Sequence, residues 1–271
     1  MKSTPANPGR RQLLALAFFS DLSTLLESIK PPENSFNDWF EAARMDNAAR
    51  SQQLLERGFD PNTIEPERFD TALILAVREK SRTVLALLLR TPGIDLDLRA
   101  RNGDTALMIA AFQSDIEAAT ALINQGAEIN RTGWAPLHYA AASGSDAIVR
   151  RLLEQDAYID AESPNKTTPL MMAARGGHLS TVQLLLAEGA DLAAKNELDL
   201  NASDIALSAG YVELAVLLKP VTSEPQALAP SDLTAVPVVP DNTQSLAVDV
   251  PPAAADTAPA SAGALPEPAA Q

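Results

Sequence analysis

The chain reads TALILAV at residues 71–77, TALMIAA at 105–111, APLHYAA at 135–141 and TPLMMAA at 168–174. A second phrase recurs in step with it: GFDPN at 58–62, GIDLD at 93–97, GAEIN at 126–130, DAYID at 156–160 and GADLA at 189–193. Self-similarity at about 33 residues predicts stacked helix-pair units rather than one globular core. A stack of this kind presents a long surface and seldom encloses an active site.

The copy at 166–194 shows how the phrase becomes structure. Thr168 precedes Pro169, which suits the first turn of a helix because the missing N–H would be unpaired there anyway. Leu170, Ala173 and Ala174 mark one face of that helix, and Gly176-Gly177 allow a sharp reversal. A second helix carries Val182, Leu185 and Leu186, and Gly189 stands where a left-handed residue ends it. The small Ala173-Ala174 pair lets first helices approach closely, and bulk comes from the second helices. No single pair covers its own apolar faces, so stacking is compulsory.

These residues resemble the ankyrin repeat. Its TPLHxA motif appears as Ala135-Pro136-Leu137-His138-Tyr139-Ala140, departing only at the first position, its GH turn as Gly177-His178, and its loop as Gly189-Ala190-Asp191-Leu192. The resemblance implies an all-α repeat solenoid of stacked helix-turn-helix units with short hairpin loops. The phrase start falls at Asn37, Thr71, Thr105, Ala135, Thr168 and Asn201, which gives about six units near 34–64, 65–98, 99–130, 131–161, 162–194 and 195–219. The first unit, with Trp39-Phe40, and the last, which lacks Pro and His, are degenerate, as end units with one unpartnered face are expected to be.

One step is short. Asn130 to Ala135 takes five residues where Asp97 to Thr105 takes eight, so three are missing from that hairpin, and Trp134 sits in it. Two outcomes are open for Trp134: packing over the gap on the neighbouring finger, or contact with a partner, where Trp is enriched. The resemblance implies that partners meet the hairpin tips and the residues after the Ala-Ala pair. Matching positions are Arg78, Glu79, Phe112, Gln113, Ala142, Ser143 and Arg175, with tips at Arg68, Asp70, Arg101, Asn102, Asp104, Trp134, Asn165 and Lys166. Arg78, Arg101, Asp104, Phe112, Gln113, Trp134 and Arg175 form the candidate partner-binding set, with Phe112 expected to be exposed.

Composition excludes several classes. A net charge of −14 opposes nucleic-acid binding and a polybasic membrane patch. No cysteine is present, which excludes thiolate catalysis and Cys-ligated zinc. No apolar run approaches the roughly 20 residues a membrane span needs. No phosphate loop, G-x-S-x-G, H-E-x-x-H or EF-hand spacing occurs, and the two histidines, His138 and His178, occupy motif positions where they join turns and loops of neighbouring units. The expectation is therefore a non-enzymatic, monomeric protein-binding module without cofactors or metals. The alternative is an accessory or regulatory factor for an enzyme, exported in the case that residues 1–33 act as a signal.

Two flanks complete the chain. Residues 1–33 read as an amphipathic helix, with Leu14, Phe18, Leu22, Leu25 and Ile29 in one stripe, or as an export signal headed by Arg10-Arg11. The compartment is cytoplasmic in the first case and periplasmic in the second. Residues 220–271 hold 10 of the 20 prolines, six acids and no base, and are expected to be disordered. The style of this tail suggests a bacterial source.

Overall fold

The computed structural model describes residues 35–219, so the expected N-terminal helix or export signal and the expected disordered tail lie outside the described residues. The described residues are all-α, with twelve helices and a single isolated bridge, Ile64 to Thr71. Two compact units are delimited, Met1–Arg101 and Asn102–Gln271.

The first unit holds α1 (Ser35–Arg44), α2 (Ala48–Glu56), α3 (Ala72–Arg78) and α4 (Arg82–Leu88). Two of these helices, α2 and α3, start on a side-chain acceptor: Asn47 takes the Arg50 N–H at 3.0 Å and Thr71 takes the Ile74 N–H at 3.2 Å. Such caps satisfy backbone donors that a helix start leaves unpaired. α1 packs on α3, and α2 packs on α4. Trp39 and Phe40, the departures that made the first copy look degenerate, are both buried, and the Trp39 ring lies 5.1 Å from that of Phe59. Asp46, held at φ 52°, accepts the N–H groups of Thr83 and Val84 at 2.9 Å each and so caps the start of α4 from the preceding helix pair.

The second unit holds α5 (Ala106–Phe112), α6 (Ile116–Asn124), α7 (Pro136–Ala142), α8 (Asp146–Leu153), α9 (Pro169–Gly176), α10 (Leu179–Ala187), α11 (Ala202–Ser208) and α12 (Val212–Leu217). The first helices pack in series, α5 on α7, α7 on α9 and α9 on α11, and the second helices follow, α6 on α8 and α8 on α10. The sequence pattern suggested one apolar face on each first helix. In fact every residue from Pro169 to Ala174 is buried, because neighbours on both sides and the partner helix cover that stretch of α9, leaving Arg175 and Gly176 half-buried at its end.

The GH turn has a steric basis. His178 lies over Gly144, where an added Cβ would meet its ring Nδ1 at 2.5 Å, and Tyr211 lies over Gly177 in the same way at 2.3 Å. Both glycines have positive φ, 69° and 70°, so a side chain there is opposed by backbone strain as well as by the ring. His178 Nε2 then donates to the Ala142 carbonyl at 2.9 Å, the link between helix pairs that its motif position implied.

The starts of α5, α9 and α11 are capped by Thr105, Thr168 and Asn201, the last in a reciprocal pair with Asp204. α7 starts at Ala135, which has no side-chain acceptor. Two features replace it: Pro136 removes one donor, and His138 Nδ1 reaches back to accept the Ala135 N–H at 3.1 Å. Restoring the hydroxyl with Ala135→Thr is expected to raise unfolding stability by about 1 kcal/mol. Urea denaturation checks this, and a lower midpoint would show that the extra atoms do not fit.

Candidate functional site

The hairpins between helix pairs are short fingers closed by backbone bonds: Glu65 N–H to Asp70 O at 2.9 Å, Ser163 N–H to Thr167 O at 3.1 Å and Asn196 N–H to Leu200 O at 3.0 Å. Neighbouring fingers are tied at their tips. Arg101 N–H donates to Arg68 O at 2.8 Å in the first unit, and Glu197 N–H donates to Asn165 O at 3.0 Å in the second. Among the described residues no such backbone bond joins the shortened finger, 131–134, to the finger at 163–167. The missing residues have cost this finger its tip.

The shortened finger is held to its own helix pair by aromatic packing instead. Trp134 is half-buried and stands edge-on to His138 at 5.3 Å and to Tyr139 at 6.4 Å. It packs on the helix of its own copy, not on the neighbouring finger. Phe112 is half-buried, not exposed as expected, and meets Tyr139 edge-on at 6.5 Å. The Tyr139 hydroxyl donates to Asp104 Oδ1. Asp104 is fully buried, so it is not the exposed tip residue that the sequence suggested, and its other oxygen accepts from Asn102 Nδ2 at 2.8 Å. The residue just before the helix cap points inward, because the chain is turning into the buried first helix there.

Three candidates, Asp104, Phe112 and Trp134, thus converge on Tyr139, which the sequence reading did not single out. A signal for it existed. At this register the first copy carries an exposed Glu41 and the others Leu75, Ile109, Met172 and Ile205, so Tyr139 alone brings a hydroxyl that a buried position must satisfy.

In the first unit Asp70 is also fully buried rather than at a tip, and Arg78 is half-buried and turned toward it at 3.4 Å. The Asp70 Oδ2 atom has no hydrogen-bond partner. Burial holds its carboxyl above the usual range, outweighing the pull of Arg78 and Arg68 in the other direction. The contribution of Asp70 to stability is therefore full below the unfolded value near 3.8 and is lost as pH rises through the raised folded value. Arg101 is exposed, its guanidinium touching only the Glu67 carbonyl at 3.4 Å. Gln113 and Arg175 are half-buried at the C-terminal ends of α5 and α9.

Both histidines are engaged by backbone. His138 is fully buried between the Ala135 N–H and the Thr167 carbonyl, 3.0 Å from Nε2, which fixes the proton on Nε2. Burial pulls its pKa from 6.5 down to about 4. A neutral, doubly bonded imidazole with no solvent access serves structure. Among the described residues no helix is long and apolar enough to cross a membrane.

A family model described as ankyrin repeats (3 copies) matches residues 39–133, 73–163 and 137–227. The chain is 31% identical over 199 residues to Protein glp-1 of Caenorhabditis elegans, covering 68% of this chain and 15% of that protein. It is 33% identical over 150 residues to human transient receptor potential cation channel subfamily A member 1, covering 51% of this chain and 13% of the channel. It is also 33% identical over 148 residues to human SH3 and multiple ankyrin repeat domains protein 2, covering 53% of this chain and 8% of that protein. The chain thus spans less than a fifth of the length of these relatives, all three of them animal proteins. Ankyrin repeats are protein–protein interaction modules. The chain belongs to the ankyrin-repeat family.

Proposed function

We propose that this chain is a non-enzymatic, monomeric binding module of six repeats, with the boundaries set out above, that captures another protein on its finger side. A bacterial source belongs to the same reading. The observation that carries it is the aromatic group around Tyr139. Phe112 and Trp134 are each half-buried, and the buried phenol packs against both. A surface fixed before binding loses little ordering entropy on association. Within the second unit Gln113 and Arg175 supply polar contacts, and within the first unit Arg101 and the accessible part of Arg78 do so; arginines and aromatics dominate binding energetics. The alternative role as an accessory factor to an exported enzyme rests on residues 1–33, which lie outside the described residues.

The test uses the full chain and a partner recovered by affinity capture. Arg101→Glu and Arg175→Glu are each expected to weaken binding by tenfold or more, an effect of about 1.4 kcal/mol. Arg101→Glu should leave stability within about 0.5 kcal/mol of wild type, as for other surface changes. Unchanged affinity in both variants would place the binding surface elsewhere.

A further inference from the structure

Asn102-Gly103 is the chain's only Asn-Gly pair, and it forms the finger tip just ahead of α5. The residue two places before the helix cap is left-handed here as in other copies: Phe69, Lys166 and Asp199 have φ 58°, 60° and 61°, and Gly103 has φ 89°. In the first three the backbone N–H is engaged. Phe69 donates to Glu65 O at 2.9 Å, Lys166 to Ser163 O at 2.8 Å and Asp199 to Asn196 O at 3.0 Å. Among the described residues no acceptor takes the Gly103 N–H. A Cβ placed on Gly103 would meet nothing within 4 Å, so the tip is open on that side. The Asn102 side chain, by contrast, is held on both atoms. Its Oδ1 accepts the Asp104 N–H at 3.2 Å, and its Nδ2 donates to Asp104 Oδ2 at 2.8 Å. Asp104 is fully buried, and its Oδ1 takes the Tyr139 hydroxyl.

We propose that Asn102-Gly103 is a self-modification site, at which the side-chain amide is converted to aspartate and isoaspartate, and that the product loosens the Asp104–Tyr139 pair. The Gly103 nitrogen loses its proton to water or hydroxide and attacks Asn102 Cγ, closing a five-membered imide. The Cγ–Nδ2 bond breaks, and that nitrogen takes up a proton and leaves as ammonia. Water then opens the ring. Cleavage at one carbonyl gives aspartate, and cleavage at the other gives isoaspartate, whose main chain runs through the side-chain carbons. Gly103 favours closure because it has no Cβ to crowd the attacking nitrogen. The Asp104 N–H lies against Oδ1, the oxygen on which negative charge develops. Asn165 holds the same register in the finger at 163–167, but Lys166 follows it, with both a side chain and an engaged N–H. In the aspartate product the donor Nδ2 is replaced by an anionic oxygen. The hydrogen bond to Asp104 then becomes a contact between two carboxylates, one of them fully buried. Isoaspartate removes the same donor and adds a carbon to the main chain just before the Thr105 cap of α5. Either product acts on the residue that holds the Tyr139 hydroxyl. The inference concerns the covalent state of the tip and does not rest on the partner-binding reading.

The full-length protein is held at mildly alkaline pH under native conditions, and its peptides are followed by mass spectrometry, with enzymatic methyl labelling to reveal isoaspartate. Asn102 is expected to convert ahead of Asn165 and of every other asparagine. Retention of the Asn102 amide, while a free peptide of residues 99–106 converts, would overturn the inference. The effect on the fold is read from urea unfolding of Asn102→Asp. This change is expected to lower the folded-to-unfolded ratio about tenfold or more, the scale of a lost hydrogen bond to charge. In an Asp104→Asn background, which keeps an oxygen for the Tyr139 hydroxyl, the same change should cost little, because no carboxylate faces the new one. Wild-type stability in Asn102→Asp, or an equal loss in both backgrounds, would overturn it as well.

Discussion

His138→Ala is expected to cost about 3–5 kcal/mol, the largest loss of any single change proposed for this chain. Two terms add. The Ala135 N–H is left buried without a partner, the Thr167 carbonyl loses one of its two donors and keeps only the Ser163 N–H, and a fully buried ring is replaced by a methyl group. Denaturant unfolding measures it, with a lower midpoint and an unchanged slope as the expected outcome. The same residue sets an acid limit. Its pKa is lowered from 6.5 to about 4 in the folded state, so the unfolded chain binds the proton first as pH falls. The contribution of His138 is full above pH 6.5 and is lost as pH falls through about 4, a swing of about 3 kcal/mol at 1.36 kcal/mol per unit. His138→Ala should flatten the stability profile across that window. A profile with the same slope in the variant would mean that another group governs acid unfolding.

Tyr139→Phe is expected to cost about 2–3 kcal/mol while changing the shape of the core very little. The reason is the asymmetry of buried hydrogen bonds to charge: removing the hydroxyl leaves Asp104 buried without that donor. The double change Tyr139→Phe with Asp104→Ala should be less damaging than the sum of the single changes, because the second removes the carboxylate from which the first takes a donor. Additive losses in a double-mutant cycle would show that the pair does not act as a unit. Phe112 and Trp134 both lean on the Tyr139 ring, so Tyr139→Phe should leave their packing, and the proposed binding edge, in place.

Much of this architecture is legible in the repeated phrase. The threonines mark helix starts because their hydroxyls accept backbone N–H groups. His138 and His178 announce links between helix pairs because their motif positions place each ring against a neighbour's carbonyl. The inward turn of Asp70 and Asp104 was harder to read. Acids beside a hairpin look like solvated tips, and only a buried donor opposite, Arg78 or Tyr139, reverses that expectation. Phe112 was misjudged for the same reason: its exposure depends on a ring 27 residues further along the chain. Trp134 had two readings, packing on the neighbouring finger or contact with a partner; its ring instead meets His138 and Tyr139 of its own copy and stays half-buried, so partner contact is kept as a proposal.

The central claim, that the finger side of this ankyrin array is a preformed protein-binding surface, is tested most directly by one comparison. Partners captured by the full wild-type chain are measured against Arg175→Glu, with circular dichroism confirming that both are folded. The account predicts that at least one saturable protein partner is retained by the wild type and weakened tenfold or more by the variant. Equal retention by both folded proteins would contradict it.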